Sequence, residues 1–116
     1  MNTETLNALK QVNTLIAQLQ DALKDTSLTP QEKTLIRQAI NDQMDLQDTL
    51  IQDSLQAMVD KINAANADLE ALTAKMENTS EKLGKLAATI KKVSEVVGTL
   101  AAITIKAMSA GLLGGL

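Results

Sequence analysis

The chain has 116 residues, 45% of them hydrophobic, with no Phe, Tyr, Trp, Cys or His and a formal charge of -3. This excludes a disulfide framework and a Cys/His metal site, and a chain with neither a basic run nor aromatics to stack on bases is not expected to take a nucleic-acid partner. An interior limited to Leu, Ile, Val, Met and Ala suits helix packing, so the expected fold class is all-α.

The N-terminal stretch MNTETLNALK has Glu4 where a secretory signal would carry basic residues, and no apolar run follows. The expected location is therefore cytoplasmic by default, with membrane association or export by a signal-independent route left open. Leu9, Val12, Ile16, Leu19 and Leu23 then step by three and four, which predicts an amphipathic helix over about 3–25. Asp25-Thr26-Ser27-Leu28 ends it. Thr29-Pro30-Gln31-Glu32 starts the next: Thr29 is the N-cap, Pro30 takes the first helical position, and Glu32 closes a capping box.

Ile36, Ala39, Gln43, Leu46 and Leu50 continue the same spacing, after which the stripe slips by one residue. The new seam runs through Ile51, Leu55, Met58, Ile62, Ala65, Leu69, Leu72, Met76, Thr79, Leu83, Leu86, Ile90, Val93, Val97 and Leu100. Roughly seven heptads of this kind read as coiled coil. A slip of one residue turns the stripe by about 100°, so residues 30–50 are expected to receive the first helix and the seam to need another partner. Asn78 with Glu81 resembles a second capping box, which predicts helices over about 30–77 and 80–109 in one domain spanning 1–110. The alternative is one unbroken helix, because no Gly or Pro interrupts 77–81. The architecture expected is an elongated helical hairpin or a three-helix coiled-coil bundle that forms homo-oligomers.

Charge divides between the halves. Residues 1–60 carry four basic and nine acidic side chains, a net of -5, and residues 61–116 carry seven and five, a net of +2. After Glu95 the only charge is Lys106, in VVGTLAAITIKAMSAGLLGGL. As helix, 96–116 would reach about 31 Å, close to a bilayer's hydrocarbon thickness of roughly 30 Å. Its Val, Ile and Leu residues contribute about -2.4 to -4.8 kcal/mol to insertion and a central Lys costs about +2.5 to +3.5, so the balance is near zero. A lone permanent span is not expected. Ala107, Gly111 and Gly115, with Ala110 and Gly114, give four-residue small ridges suited to close helix contact. The contact set, for a membrane or an oligomer core, is Val96, Val97, Leu100, Ile103, Ile105, Lys106, Leu112 and Leu113, with residues 111–116 as a Gly-rich apolar tail. Lys82, Lys85, Lys91 and Lys92 could meet lipid headgroups or form a solvated face with partners such as Glu81.

Other constellations carry no chemistry. Asp42, Asp45, Asp48 and Asp53 fan around a helix at three-residue steps and read as a solvated face; Met44, Met58, Met76 and Met108 read as core filling. No nucleophile has a base beside it, and GLLGGL lacks the strand and helix of a phosphate loop. No enzyme, cofactor or metal is expected. The layout of long heptad-bearing helices with one conditional apolar segment resembles that of α-helical pore-forming toxins and secreted helical translocator proteins, and this implies a self-assembling, membrane-associating protein. The other reading is an assembly or adaptor protein whose C-terminal segment contacts a copy of itself or a helical partner.

Overall fold

A computed structural model of the chain describes residues 3–52 and 55–109, the side chains at 52, 55, 56, 105 and 107–109 being left aside. Among the described residues it is all-helical, with α1 Thr3–Ala22, α2 Pro30–Gln52, α3 Leu55–Glu77 and α4 Glu81–Ser109. The molecule measures 56 × 22 × 17 Å. Each helix packs against two others: α1 on α2 and α4, and α3 on α2 and α4.

The helix expected over 30–77 is two helices. A single helix of that length would reach about 72 Å, longer than the whole molecule, and α3 instead lies back along α2. The one-residue slip after Leu50 thus marks the passage from one helix to the next, not a change of face within one. Nor does the chain run unbroken past residue 77, since α4 folds back on α3.

The turn into α4 differs from the expected box in register. Asn78 N–H donates to Ala74 O (3.2 Å) and Thr79 N–H to Met76 O (3.1 Å), so both residues finish α3. Ser80 is the N-cap: its Oγ accepts Leu83 N–H at 3.2 Å, and its carbonyl accepts Gly84 N–H at 2.9 Å. Glu81 is then the first helical residue, too early to bond back to Asn78. The α2 cap is as expected, with Glu32 N–H donating to Thr29 Oγ1 (3.1 Å) and Thr29 N–H to Glu32 Oε1 (2.9 Å). Helix α1 ends three residues early because the chain tightens there, Lys24 N–H reaching Asp21 O and Asp25 N–H reaching Ala22 O.

All four helices feed one apolar core. The α1 contribution is Ala8, Val12, Leu15, Ile16 and Leu19; α2 adds Leu35, Ile36, Ala39, Ile40, Leu46 and Leu50. Of the seam, Met58, Ile62, Leu69, Leu72, Met76, Leu83, Ile90, Val93, Val97 and Leu100 are buried, and Ala65 and Leu86 pack partly against them. The seam therefore packs on itself between α3 and α4, the most extensive interface of the molecule, and on α1 and α2 of the same chain. Ile51 departs from the pattern at 52% exposed, and the Leu55 side chain lies outside the described set. Each buried Leu or Ile contributes about 1.5–3 kcal/mol, so truncation of a central one such as Ile62 to Ala costs about 2–5 kcal/mol.

Candidate functional site

The molecule has two unlike ends. One holds the α1–α2 and α3–α4 turns, where polar groups join them: Ser80 Oγ–H donates to Glu32 Oε2 at 2.9 Å, and Lys82 Nζ donates to Asp25 Oδ2 (2.9 Å) and Ser27 Oγ (2.6 Å). Ser27 also bonds Asp25 Oδ1 through its N–H (2.9 Å) and hydroxyl (2.7 Å). These donors hold the Asp25 carboxyl well below the usual range, Ser27 foremost and Lys82 next. Glu32 is held low by the Thr29 N–H first and the Ser80 hydroxyl second. We call this end the clasp.

The opposite end holds the start of α1, the last turn of α2, the start of α3 and the end of α4. There Glu4, Asn7, Val96, Thr99, Leu100 and Ile103 line a groove of about 270 Å³ between α1 and α4. Ile103 is 49% exposed and Leu6 44%. Asn13 and Gln47 are bonded across α1 and α2 at 2.6 Å; Leu6 lies two turns outward from Asn13 and Ile51 one turn outward from Gln47, so both sit toward this end. Among the described residues, three of the four exposed large apolar side chains, Leu6, Ile51 and Ile103, thus gather at one end, with Met44 nearer the middle of α2.

The expected contact set divides here. Val97 and Leu100 are buried and Val96 partly so, as are Ala101 and Thr104, the Thr104 hydroxyl donating to Leu100 O. Through residue 104, then, one face of α4 is turned to its own core, and of the described members of that set Ile103 and Lys106 point outward. The Ile105 side chain, Leu112, Leu113 and the small-residue ridges at 107–115 lie outside what is described. No helix among the described residues is long and apolar enough to cross a membrane.

Two of the four lysines at 82–92 are engaged elsewhere. Lys82 is held in the clasp, about 36 Å of helix from Lys106, and Lys91 pairs with Glu77. The aspartates converge more than expected: Asp42, Asp45 and Asp48 line one groove of about 450 Å³ with Lys61 and Asp68 of α3. Burial first, then Asp68 and Asp45, push the Asp42 carboxyl up. No group of His, Cys, Asp or Glu side chains among the described residues could hold a metal ion, and Asp53 lies outside them. Nothing local marks Asp68, which arrives from α3, nor Ser80 and Lys82 as clasp residues, although Ser is a common N-cap type.

No protein-family model, characterised protein or solved structure matches the chain.

Proposed function

We propose that the chain is a four-helix bundle that works as a self-assembling module, joining a second copy of itself through its apolar end. The observation that carries this reading is the gathering of exposed Leu6, Ile51 and Ile103 at the end from which α4 leads into the uncharged sequence 107–116. Apolar side chains rimmed by Glu4, Asn7 and Lys106 make the kind of surface that a protein partner covers. With the seam occupied inside the chain, this end is the surface left for association.

Membrane attachment is the second reading, supported by the exposed Lys106 one turn from exposed Ile103, a cation-and-apolar pairing that suits a headgroup layer. It ranks second because Lys82 and Lys91, counted toward headgroup contact, are engaged elsewhere.

Sedimentation of the intact chain at tens of micromolar, with and without anionic liposomes, tests both, using Ile103→Asp as the variant. The expected result is a dimer or larger species that the variant converts to monomer with unchanged helix content. A monomeric parent would overturn self-association, and one that also pellets with liposomes, a property lost in the variant, would establish the membrane reading instead.

A further inference from the structure

Gln43 is fully buried in the core, on the inward stripe between Ala39 and Leu46, and neither its Oε1 nor its Nε2 has a protein hydrogen-bond partner. The other buried side-chain atoms without one, among the described residues, are Asn66 Oδ1 and Ser94 Oγ. These three residues belong to one level of the molecule. Asp42, next to Gln43, faces Asp68 across the α2/α3 groove, which sets residue 43 beside residues 66–67, and Asn66 Nδ2 donates to Ser94 O at 3.3 Å. Gln43 is thus the one buried core residue, among those described, whose side-chain amide goes unmet, while Asn66 and Ser94 are half-buried at about the same level and line the open α3/α4 groove. A buried amide left unpaired lowers stability relative to a paired or apolar side chain, so the core is weakened at the level of Gln43.

Gln43 stands on α2, which meets α3 across one of the smaller interfaces. The α3/α4 interface is the most extensive and α1/α2 the next; the two interfaces between these hairpins, α2/α3 and α1/α4, are smaller. Across that division run the clasp bonds from Glu32 to Ser80 and from Asp25 and Ser27 to Lys82. We infer that the molecule is a clasped pair of hairpins, in which the Gln43 layer lowers the cost of separating α1–α2 from α3–α4 and the clasp at the turns holds them together. Separation would let water reach the Gln43 amide while each hairpin keeps its own interface. This inference does not depend on the self-assembly reading, which concerns the opposite end.

The chain has no cysteine, so spin labels can be placed at will. Asn41 on α2 and Glu70 on α3 are exposed and stand at matching levels; the pair Asn41→Cys and Glu70→Cys reports the distance between hairpins by pulsed electron resonance on the intact chain. We expect a short distance with a minor longer population. Gln43→Met, close in shape and without the amide, should reduce that longer population several-fold and raise the folding equilibrium constant about tenfold or more; Gln43→Leu should do the same if Met packs poorly. Ser80→Ala with Lys82→Ala should enlarge it several-fold with helix content retained. A single distance unaffected by either change would overturn the inference, as would Gln43 variants whose denaturation midpoint is unchanged or lower.

Discussion

The Glu32 carboxylate accepts the Ser80 hydroxyl at 2.9 Å across 48 residues of chain, while the same Ser80 oxygen accepts Leu83 N–H at 3.2 Å. Glu32 also accepts Thr29 N–H, so one side chain, itself only 8% exposed, joins the caps of α2 and α4. Helix starts are ordinarily local affairs. In this molecule two of them share a carboxylate, and the shared bond fixes which ends of the helices meet.

Replacing Ser80 by Ala removes both the α4 cap and the bond to Glu32. The cap alone is worth about 0.5–2 kcal/mol, so the urea midpoint should fall. Combined with Glu32→Ala in a double-mutant cycle, the two losses should add to more than the double variant shows, because they break the same bond. Strict additivity would mean that the bond contributes nothing to stability.

Thr29→Ala should also cost about 0.5–2 kcal/mol, since Thr29 Oγ1 is the acceptor for Glu32 N–H at the start of α2. Thr29→Ser keeps the acceptor and should recover most of the loss. A denaturation series that ranks Ser with Ala would put the effect in the methyl group instead.

Acid acts with opposite sign at the clasp and in the middle of α2. Glu32 and Asp25 have folded pKa values below their ordinary 4.5 and 3.8. Their stabilisation is complete above those ordinary values and is lost as pH falls through the lower, folded ones. Asp42 is shifted upward from 3.8: the folded chain takes its proton before the unfolded chain does, so stability rises as pH falls through that raised value. Stability should therefore increase slightly on going from neutral to weakly acid pH, by less than about 1 kcal/mol for a group only partly buried, and then fall as the clasp is protonated. Asp42→Asn should remove the rise and leave the fall; a fall unaltered by Ser80→Ala and Lys82→Ala would locate the acid-sensitive groups elsewhere.

What the sequence disclosed was what is local. Thr29, Pro30 and Glu32 carry a cap within four residues, and the three-four spacing placed Gln43 among core residues without showing that its amide would go unpaired. The α2-to-α3 passage was hidden because Gln52, Asp53, Ser54 and Leu55 include no Gly or Pro, so a change of stripe was the only trace of a new helix. Asn78 and Ser80 are both acceptable caps by type; Ser80 is the one used, and the Glu32 carboxylate that bonds its hydroxyl comes from another helix. Lys82 could be read toward lipid because its partner Asp25 is 57 residues away. The outward set at the α4 end was half legible: after Glu95 the only charge is Lys106, yet Val97, Leu100, Ala101 and Thr104 form a buried stripe, while the other faces carry small residues such as Gly98 and Ala102.

The two glycines within α4 give a test of that packing. A Cβ on Gly84 would meet nothing within 4 Å, so Gly84→Ala should gain about 0.5–1 kcal/mol from the lower conformational freedom of the unfolded chain and the better helix propensity of alanine. A Cβ on Gly98 would lie 3.3 Å from Asn66 Nδ2, the atom that donates to Ser94 O. The amide must then give way or weaken that bond, in a layer where Asn66 Oδ1 is already without a protein partner. Gly98→Ala should therefore gain less than half of what Gly84→Ala gains, or lose stability outright, when both are measured by urea denaturation. In an Asn66→Ala background the amide is gone and the two glycine substitutions should become equivalent. Equal gains in the parent chain would show that Asn66 yields without cost, and would remove the α3/α4 contact at Gly98 from the factors that hold this layer.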